Sequence, residues 1–194
     1  MDVLLVIDLQ NDFIDGSLGN EGNEKIVKPI EKLVENFDGE VIFTRDSHDE
    51  NYLKTLEGSH LPVSHCIKNT KGWEIRIDTK NNKIIDKPSF GSYELVEYLK
   101  KLNEKEKIEN IYMTGICTDI CVLSNAILIK NALLNTEVKV YENLCKGTNE
   151  KNHQIALEAM KSCQVIVSKY PENKWFDFDV NKNYTLFSHI CDNM

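Results

Sequence analysis

Nowhere does this 194-residue chain hold the roughly 18 consecutive apolar residues that a membrane-crossing helix needs, so no membrane-embedded part is expected. It also lacks any basic block of the kind that contacts phosphates, and its net charge is −8, which argues against a nucleic-acid partner. Proline (4) and glycine (9) are too sparse for a disordered or linker-rich chain, and no repeat or low-complexity segment interrupts it. The first residues, MDVLLVID, begin with an acid and hold too short an apolar run for a secretion signal. Six cysteines (66, 117, 121, 145, 163 and 191) lack the dense, even spacing of a small secreted scaffold and are read as reduced thiols. Together these absences lead to the expectation of a soluble, cytoplasmic protein.

What is present describes an ordinary globular chain: 41% of residues are hydrophobic and 28% charged. Its length suits a single domain, residues 1–194, able to bury roughly 70% of its unfolded surface. Val3 to Ile7 is a continuous apolar run, the pattern of a strand buried on both faces. Ile26, Ile30, Leu33, Val34 and Phe37 then fall at helical spacing, with Pro29 near the first turn. The pattern continues with a strand over 41–44, a long loop over 45–82, a strand over 83–86 and a helix carrying Leu95, Val96, Leu99 and Leu102. The second half predicts a strand over 108–114, a helix over about 119–134, a strand over 138–141, a helix carrying Ile155, Ala156, Ala159 and Met160, and a strand over 165–167. This alternation predicts a three-layer α/β fold: a mostly parallel six-stranded sheet with helices on both faces. A polar and aromatic tail follows from about residue 170, with Trp175, Phe176, Phe178, Tyr184 and Phe187 expected to pack over the body or a partner subunit.

In an open parallel sheet the ligand crevice lies beyond the carboxyl ends of the strands. The polar residues at those ends are Asp8, Arg45 with Asp46, Lys87, and the segment from Gly115 to Cys121. Asp8, Lys87 and Cys121 make a catalytic set of acid, lysine and thiol. Cys121 is expected in the first turn of a helix capped by Thr118 or Asp119, where the helix end and a nearby Lys87 ammonium would favour thiolate. Amides of the same turn could hold an oxyanion, and Asp8 could carry the proton. Taken singly, each residue has a plainer reading: a buried cysteine, a strand-ending acid, a solvated loop lysine. Their coincidence on one sheet edge favours chemistry. A metal clip of Cys117 and Cys121 is weak, because C-x3-C has no second pair at zinc spacing, and a redox pair would want C-x-x-C.

VIDLQNDF (6–13), TRDSH (44–48), LPVSHC (61–66), DKPSFGS (86–92) and TGICTDICV (114–122) occur in that order. The chain thereby resembles the cysteine hydrolases that include nicotinamidases, N-carbamoylsarcosine amidohydrolases and isochorismatase-like proteins, and among them most resembles the metal-binding nicotinamidases. The resemblance implies a triad of Asp8, Lys87 and Cys121, a cis peptide between Ile116 and Cys117, and an oxyanion site built on the Cys117 and Cys121 amides. It implies hydrolysis of a small amide, nicotinamide or pyrazinamide, to the acid and ammonia through a Cys121 thioester. It implies as well that the chain forms a homo-oligomer.

Asp46, His48 and His65 match the metal loop of such nicotinamidases. The variable ligand is assigned by position to Glu57, with His60 competing. Two imidazoles and two carboxylates suit one divalent ion per subunit, zinc first, with manganese or iron(II) also compatible. Phe13 resembles the family's aromatic wall against the substrate ring, and Trp73 is read as a second wall. Two other readings stay open: the same thiol chemistry on a carbamoyl or ureido compound, and a non-catalytic binding module on the same fold.

Overall fold

The structure, a computed structural model, describes residues 1–171. The aromatic tail expected beyond residue 170 lies outside the described residues from position 172 onward. Six strands form one sheet: β1 (Asp2–Ile7), β2 (Glu40–Asp46), β3 (Lys83–Lys87), β4 (Asn110–Ile116), β5 (Glu137–Lys146) and β6 (Ile166–Ser168). The helices are α1 (Asn11–Ile14), α2 (Val27–Asn36), α3 (Leu56–His60), α4 (Tyr93–Lys105), α5 (Leu123–Ala132) and α6 (Glu150–Ser162). All five strand pairings are parallel, in the order β3-β2-β1-β4-β5-β6.

Strand β1 explains the three layers. Successive side chains of a strand point to opposite faces. Val3, Leu5 and Ile7 pack with Leu95 and Leu99 of α4, Ala126 and Ile129 of α5, and Leu157 and Met160 of α6. Leu4 and Val6 pack with Ile30, Leu33 and Val34 of α2 on the other face. An apolar run without alternation is what two covered faces require, and all five of these β1 residues are fully buried.

The chain runs outward from β1 through β2 to β3, then returns through α4 to place β4 on the other side of β1. Neighbouring strands whose connections depart in opposite directions leave a crevice between their carboxyl ends. Here that switch point lies between β1 and β4, so the residues following Ile7 and Ile116 face each other across it. Gly115 permits the approach: its φ is +122°, and a Cβ there would stand 2.0 Å from Ile7 O.

The six strands and four principal helices fall where the apolar pattern predicts them, with differences at the ends. Strand β5 runs to Lys146 instead of stopping near Tyr141, because its pairing with β4 shifts register between Met113 and Gly115. The expected helix over 119–134 begins as a wide turn instead. Val122 N donates to Cys117 O (3.0 Å), an i to i+5 bond, before regular α5 starts at Leu123. The loop over 45–82 also contains α3, which the sequence pattern did not predict.

Candidate active site

Asp8 follows β1 with φ of +46° and is fully buried. Its Oδ1 accepts a 2.6 Å hydrogen bond from the Thr44 hydroxyl, and its Oδ2 lies 2.7 Å from Lys87 Nζ. Lys87, at the end of β3, is also buried; it donates to Ser89 O (3.0 Å), approaches Asp46 Oδ1 (3.5 Å), and reaches Cys121 Sγ at 3.4 Å. Acid, ammonium and thiol, read separately from three strand ends, are therefore assembled around one nitrogen.

Burial raises the Asp8 carboxyl above its ordinary range, and nearby Asp46 adds to the rise while Lys87 opposes it. Burial alone would lower the Lys87 ammonium, but Asp8, Cys121 and Asp46 together hold it above the ordinary lysine range, so it stays charged. Burial also drives the Cys121 thiol upward, with Lys87 opposing and Asp8 and Asp46 reinforcing. This corrects the expectation of a stabilised thiolate. Desolvation there outweighs one ammonium already shared with two carboxylates.

The expected cap of the Cys121 helix is not formed either. Cys117 occupies the capping position without a side-chain hydrogen bond. Thr118 Oγ1 pairs instead with His153 Nδ1 (2.8 Å), and the Asp119 carboxylate accepts from Thr148 N (2.8 Å) and the Thr148 hydroxyl (2.6 Å). Both side chains thus tie the turn to the start of α6. The peptide between Ile116 and Cys117 is cis. Burial pushes the Cys117 thiol up to about 12, and among the hydrogen bonds of Lys87 it is Cys121, not Cys117, that receives the ammonium.

A cavity of about 400 Å³ opens onto these groups, lined among others by Phe13, Leu18, Leu61, Phe90, Cys117, Ile120 and Cys121, with Asp46, Glu57 and His65 on one wall. Phe13 lines the cavity, its ring 5.7 Å from the His65 ring. Trp73 is not among the lining residues. The Arg45 guanidinium stacks on its ring at 3.4 Å and its indole N–H donates to Ser47 Oγ (2.7 Å), which commits the side chain to the β2 end.

Asp46, His48 and His65 bring their ligand atoms within 4.8 Å of one another, and all three are buried. His48 Nε2 lies 3.0 Å and His65 Nε2 3.5 Å from Asp46 Oδ2. Glu57 Oε1 is 3.8 Å from the former nitrogen and 3.9 Å from the latter, whereas His60 is exposed at the end of α3. His65 Nδ1 pairs with Val63 O (2.8 Å), which leaves Nε2 as the nitrogen with a free lone pair in the neutral ring. Burial alone would raise the Asp46 carboxyl, but the adjoining His48 and His65 rings and the Lys87 charge hold it well below the ordinary range. An ionised carboxylate beside two imidazoles is a donor set that fits a divalent cation.

Three supporting residues carry no signal that sequence reasoning used. Gln10 clamps the Asp46 peptide: Oε1 accepts from Asp46 N (2.8 Å) while Nε2 donates to Asp46 O and Trp73 O (both 2.9 Å). Asp12 Oδ2 accepts from Cys66 N (2.7 Å), holding the His65 loop. Tyr52 packs tilted against His48 and edge-on against His65 (centroids 4.6 and 4.8 Å), and its hydroxyl donates to Leu61 O (2.9 Å). Gln10 and Asp12 lie inside VIDLQNDF, and their period-two spacing from Asp8 was the available clue.

The Isochorismatase domain profile matches residues 2–171. The chain belongs to the isochorismatase family. It is 28% identical over 174 residues to a nicotinamidase of Saccharomyces cerevisiae, a match covering 66% of this chain and 80% of the yeast protein. Its fold superposes on a zinc complex of the Pyrococcus horikoshii pyrazinamidase with a TM-score of 0.76 and 26% identity, covering 87% of this chain and 99% of that one. A nicotinamidase/pyrazinamidase of Bacillus subtilis gives 0.73 and 27%, covering 87% of this chain and all of that one. The fold described above is thus one that this isochorismatase-family chain shares with those neighbours.

Proposed function

We propose that this chain is a cysteine amidohydrolase converting nicotinamide, and pyrazinamide, to the corresponding acid and ammonia. The observation that carries the reading is a buried Asp8, Lys87 and Cys121 grouped around one ammonium, with Cys121 lining a largely apolar cavity. Cys121 Sγ attacks the carboxamide carbon and its proton passes to Asp8, whose raised pKa suits it to receive one. Lys87, charged throughout, steadies the sulfur and the carboxylate as charge moves between them. The Cys117 and Cys121 amides stabilise the oxyanion. Asp8 then returns the proton to the nitrogen, ammonia leaves, and a thioester remains. Asp8 next takes a proton from water as it attacks the thioester, and Cys121 recovers its own.

Asp46, His48, His65 and Glu57 would hold one divalent ion, with zinc favoured and manganese or iron compatible. Bound there, the ion would supply a Lewis acid for a ring nitrogen and for water. Phe13 packs against the ring of the substrate, and the apolar wall excludes competing water. The partner is a small-molecule amide. We assign the enzyme to the cytoplasm as a homo-oligomer, which light scattering on the purified protein checks; no described helix is long and apolar enough to cross a membrane.

Ammonia release from nicotinamide and pyrazinamide tests the reading. Turnover by wild type, abolished in Cys121→Ala and Asp8→Asn, is expected. A folded, metal-loaded wild type inert toward both amides would refute it.

A further inference from the structure

Asn125 lies in the first turn of α5, fully buried, one turn beyond the nucleophile. Both N–H donors and the oxygen of its amide bond backbone groups from two separate segments. Oδ1 accepts from Ser92 N (2.9 Å), while Nδ2 donates to Phe90 O (3.1 Å) and to Cys121 O (2.8 Å). Ser92 and Phe90 belong to the segment that leaves β3 directly after Lys87, and that same segment supplies Ser89 O to the Lys87 ammonium. A bond from an asparagine to the carbonyl four residues back is an ordinary local habit. What distinguishes Asn125 is that the same planar group also spans 33 and 35 residues of sequence to the lysine segment.

Gly91 shows how tightly the two segments meet, since a Cβ there would stand 2.5 Å from Leu128 Cδ1 of α5. Within that contact only a carboxamide matches the pattern of one donor and two acceptors. A carboxylate has no N–H for Phe90 O and Cys121 O, and an aliphatic side chain satisfies none of the three.

We propose that Asn125 is the positioning residue that fixes the Cys121 backbone against the Lys87 segment. It thereby sets the 3.4 Å contact between Sγ and Nζ and the placement of the Phe90 wall. The proposal rests on the cysteine amidohydrolase reading. Asn125 acts through Cys121 and Phe90 and does not itself touch substrate.

The test compares Asn125→Asp and Asn125→Ala with Val140→Ala, a buried β5 truncation that lowers stability without touching the site. Two quantities are read on the full-length, metal-loaded proteins: kcat and KM for nicotinamide, and the rate at which iodoacetamide alkylates Cys121, followed by mass spectrometry of its peptide with no substrate present. Asn125→Asp keeps the acceptor for Ser92 N and sets a carboxylate oxygen against Phe90 O and Cys121 O in place of the two donors. It is expected to behave like Asn125→Ala, with kcat down on the order of 100-fold, the scale of a misplaced reacting group. KM should rise several-fold as Phe90 is released, and alkylation should slow several-fold as Sγ moves away from Lys87. Val140→Ala is expected to alter melting temperature alone. Wild-type kinetics and alkylation in Asn125→Asp, faster alkylation in either variant, or changes no larger than those of Val140→Ala would overturn the proposal. A wild type that alkylates at Cys121 yet leaves nicotinamide untouched would sink the substrate assignment, and the alkylation comparison would still decide the role of Asn125.

Discussion

Replacing Lys87 with methionine removes the one cation that Asp8 faces inside the protein. Both side chains are fully shielded from solvent and 2.7 Å apart, so the substitution leaves a buried carboxylate without its partner. Breaking a buried pair in this way costs about 3–5 kcal/mol. In a chain of this length each kcal/mol lowers the melting temperature by about 2–4 °C, which gives a fall of roughly 6–20 °C. Asp8 escapes part of the penalty by taking a proton. Its folded pKa is already raised in wild type with Lys87 opposing the rise, so removing the ammonium raises it further and the variant loses more stability than wild type as pH climbs. The deficit of Lys87→Met should therefore grow from pH 5.5 to pH 8.

Combining Lys87→Met with Asp8→Asn replaces the pair by neutral groups of similar size, which is often close to neutral for stability. Urea denaturation of wild type, both single variants and the double variant measures the difference. The double variant should recover at least about 2 kcal/mol relative to the sum of the singles, the coupling expected of groups in contact. All three variants should release ammonia only at background. Additivity within about 0.5 kcal/mol would refute the reasoning, because it would show that the two residues do not share an energetic pairing.

Removing a metal-facing imidazole by His65→Ala should lower metal affinity by on the order of two decades or more, since even residues behind the ligands are worth 10–100-fold; full metal content by elemental analysis would contradict the site. His153 is held below the ordinary histidine range, first by burial and further by Lys146, with Glu150 opposing. The unfolded chain thus takes a proton there before the folded one does. Its stability contribution is complete above pH about 6.5 and is lost as pH falls toward the folded value. His153→Gln should flatten the difference in urea midpoint between pH 7.5 and pH 5.5, and an unchanged difference would sink that assignment. Trp73→Phe, outside the cavity, should leave KM for nicotinamide within about twofold, whereas a loss typical of an aromatic contact would return Trp73 to the wall.

The sequence carried the sheet because β1 announces itself: five apolar residues in a row, ended by Asp8, have no other comfortable place in an α/β chain. It also carried the convergence of Asp8, Lys87 and Cys121, since Asp8 and Lys87 follow or end a strand and Cys121 lies in the turn after β4. Strand order was not legible, and neither was the switch point between β1 and β4, because both depend on connections whose direction leaves no local pattern. The helix start at Cys121 was misjudged for a physical reason. Thr118 and Asp119 have the composition of caps, yet His153 and Thr148, about thirty residues away, compete for their side chains. The thiolate expectation failed similarly: helix position and a neighbouring lysine are readable, but the degree of burial that outweighs them is not. Asn125 works through backbone groups, which every sequence supplies alike, so nothing in its own neighbourhood marked it.

The central claim is that Cys121 is an amide-cleaving nucleophile served by Asp8 and Lys87. Mass spectrometry of the metal-loaded protein, acid-quenched within the first turnovers on nicotinamide, tests it most directly. The account predicts an adduct on the Cys121 peptide with the mass of a nicotinoyl thioester, formed with release of ammonia and missing from Cys121→Ala. Ammonia release at the wild-type rate by Cys121→Ala would contradict it.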